Sequence, residues 1–180
     1  MRILWILPYS PWPATSGGKT RQFHLLRSLA ARGHRITLLL HDKHPVSLAD
    51  RQVLEAFVEQ LIILPRRPLR SLKTLVAGLF APYPLLASVN GLSAGLQDTF
   101  TGLLGEHWDV VQIEHSYSFQ PYEDALARKS QPFVLTEHNV ESALGAATYD
   151  RLPRWSLPFI RYDQWRYARW ERRVMRQAAQ

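Results

Sequence analysis

The sequence contains no cysteine. Disulfides, cysteine-ligated zinc, iron–sulfur clusters and thiol catalysis are excluded together, and the composition suits a reducing cytosol. Long hydrophobic runs are also lacking. Arg2-Ile3-Leu4-Trp5-Ile6-Leu7 is stopped by Pro8, too early for the core of a signal peptide. The uncharged stretch from Thr74 to Leu96 holds Pro82, Pro84, Asn90 and three glycines, which would interrupt a spanning helix and make its second half polar. The expectation is a soluble protein. Acidic residues are scarce relative to basic ones, 15 against 22, and the formal net charge is +7.

What is present is ordinary for a globular chain. Of 180 residues, 46% are hydrophobic and 21% charged, which excludes wholesale disorder and fits one domain, at most a tight pair. The charge is uneven. Residues 150–180 carry eight Arg and three acids, and residues 66–73 (Arg66, Arg67, Arg70, Lys73) carry four cations and no acid. The remainder is close to neutral. Two basic patches on such a domain favour phosphate-bearing partners: nucleotides, anionic lipid headgroups or nucleic acid.

Hydrophobic patterning alternates between strand and helix. Residues 2–7 read as a fully buried parallel strand, and 8–18 as a loop. From Lys19, apolar positions Phe23, Leu26, Leu29 and Ala30 fall at helical spacing, with Gly33 closing the helix. Residues 36–40 predict a second strand and complete a βαβ unit. Ser47 to Gln60 reads as a helix capped by Ser47. Further strands are predicted at 61–64, 109–113 and 132–136, a short helix at 119–129, and a final long helix over 155–177. Residues 68–105 read as helical in patches around the Pro82-Tyr83-Pro84 corner. The fold expected is α/β: a Rossmann-like parallel sheet with helices on both faces.

Ligands of such sheets bind at the carboxyl ends of the strands, which selects the loops 8–20, 114–118 and 137–142. In the first, Gly17 and Gly18 precede a helix and free its N-terminal N–H groups for an anion, with Lys19 and Arg21 adding positive charge. Gly18-Lys19-Thr20 matches the end of a Walker A motif, but Pro13 stands where its first glycine belongs. The fingerprint GxGxxG is absent too. These absences argue against a P-loop NTPase and a dehydrogenase. In the other two loops, His115 and His138 sit where a ring could hydrogen-bond a ligand or stabilise an anionic group, the alternative being that they cap loops. Glu137 and Glu141 are weaker candidates. His24, His34, His41, His44 and His107 show no ligand spacing, so no metal site is expected.

The series Gly17-Gly18, Arg21, Leu26, Leu29, Gly33-His34 at this spacing resembles the opening of family 4 glycosyltransferases. Glu114-His115-Ser116 and Thr136-Glu137-His138-Asn139-Val140-Glu141 are similar to that family's histidine segments after the fourth and fifth strands. The resemblance covers essentially the whole chain. It implies one half of a GT-B fold: residues 1–180 would be the amino-terminal, acceptor-side domain of a retaining glycosyltransferase. The partner domain, with most nucleotide contacts and an E-x7-E glutamate pair, has no counterpart here in a suitable helical context. It implies a nucleotide-sugar donor, a glycan or lipid-linked acceptor, no cofactor and no metal. It places His138 at the reacting sugar, with Gly17, Gly18, Lys19, Arg21, His115, Glu137 and Asn139 around the substrates. It also implies a cytoplasmic enzyme with peripheral contact at the inner membrane face, for which Arg66, Arg67, Arg70 and Lys73 are candidates. The Arg- and aromatic-rich last helix reads as packed on the sheet, with arginine stems over rings. No RNA-binding motif accompanies it, and nucleic acid is not expected. The alternative reading is a non-enzymatic nucleotide- or anion-binding Rossmann-like module.

Overall fold

The computed structural model describes residues 1–66, 76, 80–91, 93–138 and 154–178. The elements run β1 (Arg2–Leu7), α1 (Gly17–Ala31), β2 (Arg35–Asp42), α2 (Leu48–Glu55), β3 (Gln60–Pro65), α3 (Leu85–Gly91), α4 (Ala94–Leu103), β4 (Val110–Glu114), α5 (Glu123–Lys129), β5 (Val134–Thr136) and α6 (Leu157–Gln177). Single 3-10 turns lie at Ser116–Ser118 and Arg154–Ser156. The strands form one sheet in the order β3-β2-β1-β4-β5. Every pairing is parallel.

The central position of β1 explains its composition. Leu4, Trp5 and Ile6 have no exposure because both edges and both faces of the strand are covered. Successive side chains point to opposite faces, so the core divides in two. Ile3, Trp5 and Leu7, with Ile36, Leu38 and Leu40 of β2, pack against Phe23 and Leu26 of α1 and Leu54 of α2. Leu4, Ile6, Leu39, Val111 and Ile113 pack on the other side against Phe100 of α4, Leu126 of α5, and Trp170 and Val174 of α6. Helices therefore cover both faces, as the sequence pattern predicts.

Local chemistry sets the boundaries. Ser16 Oγ accepts from the Lys19 N–H at 3.4 Å and starts α1. Gly33, at φ +77°, ends it. Its N–H bonds Ala30 O at 2.9 Å and that of His34 bonds Leu29 O at 3.2 Å, the paired bonds of a Schellman cap. Ser47 Oγ accepts from Asp50 N–H at 3.1 Å at the start of α2. That helix stops at Glu55, earlier than the predicted Gln60, because Gln60 already pairs with Thr37 as the first residue of β3. The short helix begins at Glu123 rather than 119. Phe119 and Tyr122 are instead turned into the core by the 3-10 turn.

The terminal helix α6 is fastened by polar bonds as well as rings. Asp163 Oδ1 accepts from Leu85 N–H at 3.0 Å and from Arg166 Nη2 at 2.5 Å. Arg166 Nη1 donates to Ala81 O at 2.8 Å, and Trp170 Nε1 to Ser116 O at 2.8 Å. These bonds satisfy a buried ion pair that would otherwise cost more in desolvation than it returns. Among the described residues no helix is long and apolar enough to cross a membrane.

Candidate functional site

The chain winds from β1 outward to β3, then returns to the other side of β1 and continues through β4 to β5. The reversal leaves a crevice at the carboxyl ends of β1 and β4, the place where open α/β sheets bind ligands. The loop after β1, the start of α1 and the ends of β4 and β5 all meet there.

Glu114, the last residue of β4, is fully buried. Its oxygens face donors. Oε1 accepts from Trp5 Nε1 at 3.0 Å and Gln112 Nε2 at 2.7 Å. Oε2 accepts from Gln22 Nε2 at 3.2 Å and faces His138 Nε2 at 2.7 Å. Arg21 Nη1 stands 3.8 Å away. A carboxylate only accepts, so the contact with His138 assigns the proton to Nε2 and leaves Nδ1 for another partner. Nδ1 points at the start of α1: a Cβ placed on Gly18 would lie 3.7 Å from it and 3.5 Å from Tyr9 Oη.

A second histidine lies alongside. His115 Nε2 is 3.0 Å from Tyr9 Oη, and Tyr9 Oη in turn accepts from Gln22 Nε2 at 3.2 Å. The two imidazoles are 4.7 Å apart, and His115 stacks on Tyr117 at 4.9 Å. His115 adopts φ +66°, a backbone conformation rare outside glycine and found disproportionately at functional sites. Glu137 Oε1 accepts from Ser116 N–H at 2.5 Å, and its Oε2 lies 3.6 Å from His115 Nδ1. The loop after β1 is anchored by Ser10, whose N–H donates to Asp42 Oδ2 at 2.5 Å, and by Trp12 against Phe23.

The sequence-predicted residues are mostly brought together. His138, His115, Glu137, Gly18 and Arg21 share one cluster, and Lys19 Nζ is 5.9 Å from the Tyr9 ring. Gly17 has open space beside it. Asn139 and Glu141 lie outside the described residues, as do Arg67, Arg70 and Lys73 of the basic patch. The first turn of α1 has no acid, so its unpaired N–H groups, Lys19 and Arg21 offer an anion a positive rim. Among the described residues no three His, Asp or Glu side chains could hold a metal ion.

Tyr9 and Gln22 were not singled out by sequence reasoning, and Glu114 entered only as the first residue of the Glu114-His115-Ser116 segment, not as a site residue. Gln22 and Glu114 nonetheless carried a signal. Gln22 sits on the core side of α1, one turn before Leu26, and has no exposure. Gln112 and Glu114 alternate with the apolar Val111 and Ile113, so both fall on the same face of the sheet. A buried polar residue at a core position is the informative exception to hydrophobic patterning.

The fold and crevice define an α/β domain of Rossmann-like type. Residues 16–180 match the glycosyl transferase 4-like domain, and the chain belongs to that family. Among solved structures, the C-terminal domain of a hydrogenase from Pyrococcus furiosus is similar at 18% identity, covering 75% of this chain and 90% of that one with a TM-score of 0.50. A protein described as a candidate UDP-N-acetylglucosamine 2-epimerase from Listeria monocytogenes aligns at 12% identity over 94% of this chain and 37% of its own, with a TM-score of 0.49. Among curated proteins none matches.

Proposed function

We propose that this chain is the amino-terminal, acceptor-side half of a retaining GT-B glycosyltransferase. The enzyme transfers a glycosyl group from a nucleotide-sugar to an acceptor hydroxyl on a glycan or a lipid-linked carrier, as in cell-envelope polysaccharide assembly, at the cytoplasmic side of the membrane. The observation that carries this reading is the Glu114–His138 pair, whose outward ring nitrogen faces the glycine start of α1. The donor diphosphate would lie over the N-terminus of α1, close to the Gly17-Gly18 backbone, with Lys19 and Arg21 balancing its charge. His138 Nδ1 would then meet a hydroxyl of the transferred sugar. His115 and Glu137, joined to Tyr9, would line the acceptor side with Asn139.

The chemistry required of this half is positioning and stabilisation of charge on the departing diphosphate. Glu114 contributes by holding one tautomer and orientation of His138. Most nucleotide contacts fall to the second domain, and the half alone would turn over little. No cofactor is required, and retention of configuration rests on the family resemblance alone. Calorimetry with UDP- and GDP-sugars, on the protein together with its nucleotide-binding domain, tests the reading. Binding of one donor that weakens on substitution of His138 supports it. No binding of either donor favours a non-enzymatic anion-binding module.

A further inference from the structure

The terminal helix α6 has two unlike faces. Ile160, Asp163, Arg166, Tyr167, Trp170, Glu171 and Val174 are buried. Packing on the sheet, as the sequence suggests, accounts for that side only. Both acids of the helix, Asp163 and Glu171, are on it. The outward side carries Tyr162, Trp165, Arg169, Arg172 and Arg176, all exposed. At 100° per residue, Trp165, Arg169, Arg172 and Arg176 fall within about 60° of arc. Among the described residues, none of these three arginines is in an ion pair, whereas Arg166 pairs with Asp163 and Arg173 with Glu123.

The outward side is also apolar. Tyr162 and Trp165 stack at 6.0 Å, with Arg169 4.8 Å over the Trp165 ring and Arg166 4.7 Å over Tyr162. An open groove of about 590 Å³ separates this stripe from the Pro82-Tyr83 corner. Phe80, 84% exposed, adjoins Ala81, whose carbonyl accepts from Arg166. Trp155 and Leu157 are exposed at the amino end of the helix. Solvent-facing aromatics interleaved with unopposed cations, and no acid between them, are the composition of a surface that rests on anionic lipid. A single-stranded nucleic acid needs free ring faces on which bases stack. Here each ring already carries a guanidinium, Arg166 over Tyr162 and Arg169 over Trp165, which leaves fewer free faces for stacking bases.

We propose that the outward face of α6, with the Phe80 corner, docks on an anionic phospholipid bilayer. Arg169, Arg172 and Arg176 meet the lipid phosphates, Tyr162 and Trp165 lie at headgroup level, and Phe80 and Trp155 reach the acyl boundary. This docking is independent of the donor-site reading and of the basic segment at 66–73. The experiment is flotation of the protein with vesicles of phosphatidylcholine alone, or of phosphatidylcholine and phosphatidylglycerol in equal parts. The expected result is binding to the anionic vesicles alone, weakened by added salt. Arg169→Gln, Arg172→Gln and Arg176→Gln together should weaken it by about a hundredfold, near fivefold per charge. Trp165→Ala should weaken it as well, and both variants should melt like the parent because the replaced side chains are exposed. Equal binding to both vesicles would overturn the proposal. So would binding that survives the triple substitution but is lost on neutralising Arg66, Arg67, Arg70 and Lys73. Capture of a single-stranded oligonucleotide without capture of vesicles would overturn it too, and assign the face to nucleic acid.

Discussion

His138 Nε2 lies 2.7 Å from Glu114 Oε2, so a fully buried carboxylate at the end of β4 orients a ring supplied by the loop after β5. Gln22 donates to the same oxygen from α1. Three elements separated in sequence thus converge on one atom.

That convergence makes the pair act as a unit. His138→Gln should lower the proposed transfer by about 100-fold or more, the scale of one lost charge-stabilising contact in a transition state. Glu114→Gln should cost a similar factor while leaving the ring in place but free to change tautomer. The double variant should be no more than a few-fold worse than the worse single one, because residues serving one contact are not additive. Steady-state kinetics of the four proteins measures this, and multiplicative losses would show the two residues working separately.

Gly18 supplies a cleaner probe. It sits in the first turn of α1, and an added Cβ would make ordinary contacts with Tyr9 and His138. Among the described residues Gly33 is the glycine with positive φ, so backbone strain does not demand glycine at 18. Gly18→Ala should therefore fold with unchanged or slightly raised stability, since alanine is favoured in a helix by up to about 1 kcal/mol. It should nevertheless weaken donor binding at least tenfold, by filling the approach to the helix N-terminus. Unchanged donor affinity in calorimetry would remove Gly18 from the proposed site.

The architecture was legible because strand burial and helix ends leave local marks. Residues 2–7 read as a buried parallel strand from their continuous apolar run, and Gly33 marked the end of α1. The predicted helix start at 119 missed because Phe119 and Tyr122 mimic helical spacing while packing as loop residues. At the candidate site, His115 and His138 were legible as residues just after strand ends, and Gly18 as a glycine at a helix start. The contact between Gln22 and Glu114 was not, since it spans 92 positions and exists only through the pairing of β1 with β4. In the sequence Gln22 showed only as a polar residue on an apolar face, and Glu114 as such a residue heading the Glu114-His115-Ser116 segment, with nothing to join the two.

Gly33 tests the helix end itself. Its φ of +77° places any side chain in a disfavoured conformation, although no neighbouring atom obstructs a Cβ. Gly33→Ala should destabilise the fold by about 1–2 kcal/mol, and Gly33→Asn by less, because asparagine tolerates the left-handed region. Urea unfolding of the three proteins gives both numbers. An alanine variant as stable as the parent would mean that the Schellman cap rearranges at no cost.

His41 gives the fold a pH dependence of defined sign. It is buried at the carboxyl end of β2, and its pKa is lowered to about 4, chiefly by burial and further by the charge of Arg66, with Asp42 opposing. In the unfolded chain the ring titrates near its ordinary value of about 6.5. Between these values the unfolded state binds a proton that the folded state refuses. The stability that His41 contributes is therefore complete above about pH 6.5 and is lost as the pH falls toward 4, at up to about 1.4 kcal/mol per pH unit. Other carboxylates and histidines titrate in the same range, so the informative quantity is a difference. Urea unfolding of the parent and of His41→Gln, compared at about pH 7 and about pH 5, should show the gap between them narrowing or reversing in favour of the variant at the lower pH. A constant gap across that interval would mean that His41 takes up its proton in the folded protein as readily as in the unfolded chain.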